Sequence, residues 1–355
     1  MEKPHRIFVI NPGSSSTKVA LYEGREERFS TTIRHDGDLI RSFPSVYDQL
    51  DFRYEAIMDI VRENGIDLSA IDAVAARAGF LKPVSGGTFS INEDLLDDLR
   101  NCRYGEHGSN ISPFCAKRIA DLYGIPAYVT NPVSVDEFMP ESYMTGLPEI
   151  RRTSRFHALN HKAVAGYAAE RLGKRYEEAN IIVAHLGGGI SIAAHERGRV
   201  VDACSPADEG PMSIDRPGQL PNTPLVRLCY SGKYTEEELI KLIETRSGVL
   251  GYTGLTDLIQ IEERAARDPS VALVLDTMAY RIAFYIAGYS ATLKGDVDTI
   301  VLTGGMARSD YIIPRVSERV AHIAPITLIK GEFEMLALAE GAIRVLSGQE
   351  AAKTY

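Results

Sequence analysis

Three short stretches combine residue types that handle anions. Asn11-Pro-Gly-Ser-Ser-Ser-Thr-Lys18 gathers an amide, a glycine, hydroxyls and a lysine within eight positions. Such a turn can aim backbone N–H groups and hydroxyls at a phosphate, Ser14 and Ser16 foremost, with Lys18 as a point charge. An ordinary polar hairpin explains the same residues. The stretch is not a Walker A loop, because G-x-x-x-x-G-K-[ST] is missing and a strand follows it. His185-Leu-Gly-Gly-Gly189 offers Gly187, Gly188 and Gly189, which let a backbone approach a phosphate chain or simply make a turn. Val301-Leu-Thr-Gly304-Gly305 repeats the strand-to-glycine step. Arg77 and Arg216 carry guanidinium forks that match a carboxylate or a phosphoryl group, although a lone arginine also makes surface ion pairs. His157, between Phe156 and Ala158, has the setting of a core histidine, and Asp136 that of a turn or N-cap residue.

These residues need rigid supports. Apolar runs at Arg6–Asn11, Ile181–Ala184 and Thr299–Leu302 are strands that lead into the three turns. Val19–Tyr22 and Ile190–Ala194 follow the first two turns, and Arg197-Gly198 is the hairpin that returns Val200–Ala203. The first two units share one plan, 174 positions apart between Asn11 and His185, which suggests an internal duplication. Helices fill the gaps. One spans Ala116–Tyr123 and stops at Gly124, another spans His161–Leu172, and Thr235 with Glu238 forms a capping box. The Ala127–Thr130 strand completes an alternation typical of α/β folds.

Composition limits the function classes. The 355 residues are 45% hydrophobic and 25% charged, so a disordered or fibrous chain is excluded. A net charge of −9 argues against nucleic acid and anionic membrane as partners. The apolar Val271–Leu293 stretch carries Asp276 and Arg281, so it is expected as a buried helix and not a membrane span. Four cysteines without metal spacing, and no signal-peptide core, indicate a soluble cytoplasmic protein.

Asn11–Lys18 resembles the N-x-G-S-[ST]-S-x-K signature of the acetate and butyrate kinases, the acetokinase family. Four further segments resemble that family in order: Ala76–Phe80 with Gly86-Gly87, Arg152–His161, His185–Gly189, and Asp208–Arg216. Val301–Gly305 resembles its adenosine segment. The chain length, the Glu-Gly-Pro stretch and the Gly-Gly pair are closer to the butyrate kinases than to the longer acetate kinases. The resemblance implies two duplicated ribonuclease H-like α/β domains with a nucleotide cleft between them. The expected domains are 1–152 with 338–355, and 153–337. It also implies ATP as co-substrate, Mg²⁺ near Asn11 and Glu334 (with Glu332 as rival), and a homo-oligomer. Arg77 would bind the carboxylate, Arg216 and His157 would stabilise the transferring phosphoryl group, and Asp136 would hold the Mg²⁺ shell or orient an arginine. His185, Asp257, Gly304 and Gly305 would contact nucleotide; His161 is a site or a helix-start residue.

Two positions depart from the family pattern. Gly79 stands where acetate kinases carry a valine in the methyl pocket, which predicts room for a longer acid, each added CH₂ contributing about 0.8 kcal/mol. Ile259 replaces an arginine that packs by the adenine. The expectation is a short-chain fatty acid kinase that forms butyryl phosphate by direct in-line transfer, with isobutyrate, propionate or acetate as alternative acids. A nucleotide switch of the actin or chaperone kind would have no use for Arg77, Arg216 and His157 together. A sugar kinase would waste two arginines on an uncharged substrate.

Overall fold

The computed structural model describes residues 3–355. Two compact units emerge: one comprises the residues up to Asp136 together with Phe333–Tyr355, the other Glu137–Glu332. The division thus falls at 136/137 and 332/333, not at the expected 152/153 and 337/338. Residues 137–152 belong with the second unit because Met139 N–H donates to the Val201 carbonyl at 2.9 Å. Arg152 there donates to Asp202 at 2.9 Å and to Glu209 at 2.9 Å.

In the first unit, β1 (Arg6–Pro12), β2 (Ser16–Glu23) and β3 (Glu26–Arg34) form an antiparallel meander. Strands β4 (Ala73–Ala76), β5 (Thr88–Ser90) and β6 (Ala127–Thr130) extend it in the order β3-β2-β1-β4-β6-β5. The second unit repeats the plan with β7 (Asn180–Leu186), β8 (Ile190–Glu196), β9 (Arg199–Ala203), β10 (Thr299–Gly304) and β11 (Ile326–Lys330), ordered β11-β10-β7-β8-β9. Leaving out β5, the two orders superpose strand for strand. Even the bulges correspond, at Leu21/Tyr22 and Ala194/His195. The duplication expected from the turns is therefore a duplication of sheet topology.

The continuous apolar runs of β1, β4, β7 and β10 are explained by burial on both faces. Phe8, Ile10 and Val74 pack with Ile57, Leu95 and Ile119 in one core, while helix Glu334–Leu346 packs on β1, β4 and β6. Ile182, Ala184, Ile192 and Ile300 pack with Leu275, Met278, Ile282 and Val316 in the other. Each buried isoleucine contributes about 1.5–3 kcal/mol. Helix Pro269–Thr292 has the length and apolar composition of a membrane span by those measures alone. It packs on β7 and β8, and its Asp276 accepts from Arg315 at 2.8 Å. Helix Ser112–Tyr123 ends on Gly124 at φ 64° as expected. The Thr235–Glu238 capping box forms both of its hydrogen bonds.

Candidate active site

In each sheet the candidate residues stand at the carboxyl ends of the central parallel strands, where open α/β sheets bind ligands. Asn11 closes β1 and pairs across the hairpin with Lys18 on β2. Arg77 follows β4 and donates its N–H to the Ile10 carbonyl at 3.1 Å, which brings it beside Asn11. Glu334 opens the helix that covers this sheet. Its Oε2 accepts from Arg77 Nη1 at 2.8 Å and from Asn11 Nδ2 at 3.0 Å. Glu332, the rival for this place, lies in the second unit, 3.9 Å from His185 Nε2.

The turn between β1 and β2 is fastened from beneath by a residue that pattern reading missed. Arg53 is 1% exposed, the bulkiest side chain to be fully enclosed. Its guanidinium donates to the carbonyls of Gly13 at 2.9 Å, Ser16 at 3.1 Å and Ser14 at 2.8 Å. With these carbonyls turned inward, exposed Ser14 and half-buried Ser16 and Lys18 line the outer side. Burial lowers the Arg53 pKa from its ordinary value. The signal lay in the helix: Leu50, Arg53, Tyr54, Ile57 and Val61 share one face, so the arginine falls on the apolar stripe.

His107 is the second missed residue. Its loop is tied to β1 by Ser109 Oγ, which donates to the Pro12 carbonyl at 2.8 Å. Its ring lies edge-on to Phe80 at 5.8 Å. Burial, and then the Arg77 charge, push its pKa below the usual histidine value, while Glu334 pulls the other way. Asp136 is half-buried on the segment after β6, its N–H bound to the Val84 carbonyl at 2.8 Å.

Gly79 does not open a pocket. A Cβ there would lie 2.8 Å from Asn110 Cγ and 2.9 Å from Asn110 N, so the asparagine fills the space that a valine side chain would need. Asn110 is itself anchored by donating to the Gly105 carbonyl at 3.1 Å.

The second unit gathers its own set. His185 ends β7 and pairs with Thr303, one residue before Gly304. Gly304 has φ 90°, and a Cβ on it would stand 2.7 Å from the Leu186 carbonyl carbon, so only glycine lets β10 run this close. Gly305 is open and exposed. Gly187–Gly189 form the turn to β8, and the Arg216 guanidinium carbon lies 3.2 Å from where a Gly189 Cβ would be. Arg216 Nε donates to the Glu244 carbonyl at 3.2 Å, which holds the fork across the loop. His157 caps helix Ala158–Arg171, and its ring stacks on His185 at 4.0 Å. Asp257 is the N-cap of helix Leu258–Ala265, accepting from Ile259 N at 2.9 Å. Ile259 is 70% exposed.

The acetokinase family profile matches residues 137–328, nearly all of the second unit. Butyrate kinase 2 of Clostridium acetobutylicum is 43% identical over 352 residues, 99% of each chain. The chain belongs to the acetokinase family. Membership makes it a carboxylate kinase, a phosphotransferase that uses ATP. Butyrate kinase 1 of the same organism is 42% identical over 353 residues, again 99% of each chain. In fold, the Porphyromonas gingivalis acetate kinase aligns with a TM-score of 0.80 at 21% identity, covering 96% of this acetokinase-family chain and all of that one. A propionate kinase from Francisella tularensis follows at 0.76 and 21%, covering 95% and 98%.

Mg²⁺ is tested by the donor set. Asn11 offers its Oδ1, because Nδ2 is engaged, and Glu334 offers Oε1, because Oε2 is engaged. No group of three or more His, Cys, Asp or Glu side chains is placed to hold a metal among the described residues. An amide and one carboxylate oxygen suit a magnesium ion that completes its shell with water and phosphate oxygens, so the residues fit.

Proposed function

We propose that the chain phosphorylates butyrate with ATP, reversibly, giving butyryl phosphate and ADP. Identity of 42–43% to two butyrate kinases across 99% of the chain carries this reading. A carboxylate is already ionised at pH 7, so the reaction needs positioned cations and no strong base. Arg77 uses Nη1 on Glu334, which orients the guanidinium and leaves its other edge to fork onto the substrate carboxylate. Arg216 across the glycine loop, with His157, stabilises charge on the phosphoryl group in direct in-line transfer. Gly187–Gly189, Gly304 and Gly305 admit the nucleotide phosphates, while Ser14, Ser16 and Lys18 present their donors from the first hairpin.

Asn11 and Glu334 would hold Mg²⁺, which would supply positive charge to the nucleotide phosphates when bound. Asp136 supports that ion's shell, and Asp257 remains the candidate for a ribose contact. The protein works as a homo-oligomer in the cytoplasm, in keeping with its four free cysteines.

The test is ATP-dependent acyl hydroxamate formation with acetate, propionate, butyrate, isobutyrate and valerate. Maximal kcat/KM is expected with butyrate. A maximum at acetate would overturn the substrate, and ATP binding without product from any acid would overturn the activity.

A further inference from the structure

A chain of buried polar groups runs behind His157. Tyr176 hydroxyl lies 2.8 Å from His195 Nδ1. His195 Nε2 lies 3.4 Å from His161 Nδ1. His161 Nε2 lies 2.9 Å from Ser191 Oγ, and Ser191 Oγ lies 2.7 Å from His157 Nδ1. His161, Ser191 and His195 are all 0% exposed, so no water competes for the two inner contacts, while Tyr176 and His157 at the ends are half-buried.

Burial holds His161 and His195 well below the usual histidine pKa, so each carries a single ring proton. Ser191 has one hydroxyl proton. Four contacts with one proton at each link can be filled in only two ways, all running toward His157 or all running away. Phenol is a good donor and a poor acceptor, whereas an unprotonated imidazole nitrogen is a good acceptor. Tyr176 therefore starts the chain by donating to His195. His195 then donates to His161, His161 to Ser191, and Ser191 to His157 Nδ1.

We propose that Tyr176, His195, His161 and Ser191 are positioning residues that fix the His157 proton on Nε2, making the ring a neutral donor to the transferring phosphoryl group. The opposite direction would put a proton on Nδ1 and leave a lone pair on Nε2 to face phosphoryl oxygens. The neighbouring ring agrees. Asn160 Nδ2 can only donate, and it lies 2.9 Å from His185 Nδ1, so His185 also carries its proton on Nε2. The two stacked rings thereby offer two parallel N–H donors without a second positive charge between them. The role given to His157 rests on the function proposed above; the assignment of ring protons does not.

The experiment is long-range ¹H–¹⁵N correlation of the ¹⁵N-histidine-labelled full chain, with His157 signals assigned by loss in H157Q. All four rings are expected as the neutral Nε2–H form. Nδ1–H at His157, His161 and His195, with Nε2–H at His185, would overturn the proposal. In Tyr176→Phe the His157 nitrogens should shift toward a mixture of forms. Its kcat should fall about ten-fold, the low end for removing a group that orients a functional histidine, with both KM values within about two-fold. An unchanged His157 spectrum in that variant would also overturn the proposal. Absent kinase activity with Nε2–H on all four rings would sink the proposed function and support this assignment.

Discussion

The turn after β1 and the turn after β7 occupy one station in two sheets of the same strand order, yet they are held in opposite ways. The first keeps its serines and ties its carbonyls downward to the enclosed Arg53. The second has no side chain between Leu186 and Ile190, and neighbours crowd onto its backbone, the Arg216 fork on one residue and Gly304 at another. The difference teaches that duplicated topology fixes where a loop stands but not how it is fastened. A loop that keeps side chains can be braced by a buried charge below. A loop without them makes room for a charge above, and that charge is then available to a ligand.

The largest test of this contrast is a pair of arginines. Arg77→Ala should lower acyl-phosphate formation about 10³-fold while ATP affinity by calorimetry stays within about three-fold. Arg216→Ala should weaken both, because its fork lies on the glycine loop. Equal loss of ATP binding in the two variants would break the division of labour. Next comes the brace itself. Arg53→Met strands three carbonyls and should cost about 3 kcal/mol in urea unfolding. Parental stability in that variant would mean that the first loop needs no support from beneath.

Acid provides the third test. His161 and His195 stay neutral in the fold because of burial first, then neighbouring histidines for His161 and Lys162 for His195. Unfolding lets each bind a proton near pH 6.5, so their stabilising effect is complete above that pH and lost as pH falls below it. The slope for two such groups reaches about 2.7 kcal/mol per pH unit. His35 and His107 in the first unit have lowered values and act with the same sign. His195→Gln should flatten the slope of unfolding free energy against pH by about one proton; an unaltered slope would contradict a neutral His195. The smallest effect is expected at Gly79. Gly79→Ala should destabilise by about 2 kcal/mol through contact with Asn110, and Asn110→Ala added to it should restore part of that loss. A neutral single variant would show that the asparagine yields.

What the residues disclosed in advance was local. The glycine turns, the Gly124 stop, the capping box and the Arg197-Gly198 hairpin are each set by neighbours in sequence, and each formed as expected. Glu334 is more than 250 positions from both Arg77 and Asn11, and the three meet because β1, β4 and the covering helix adjoin. Where the reading failed, a distant residue decided. Removing a valine at Gly79 suggested space, but Asn110, thirty-one positions on, takes it. The 137–152 segment follows β9, whose position no local pattern announces. His107 sits in a loop without periodicity, so only the bonds to β1 reveal its place.

The two-part makeup of the first unit bears on how the protein is made. Helix Glu334–Leu346 covers β1, β4 and β6, and the Tyr355 hydroxyl donates to Asp98 at 2.7 Å and accepts from Lys82 N–H at 2.9 Å. All of these partners are synthesised nearly two hundred residues or more ahead of that helix. At about 5–20 residues per second, β1–β6 wait roughly 10–40 s for it on the ribosome. The continuous second unit has by then been translated in full. Translation thus runs from the first hairpin onward, but the Arg77–Glu334 pair can form only after the whole second unit has been made, and a chain released before that helix would leave Arg77 and Asn11 without their shared carboxylate.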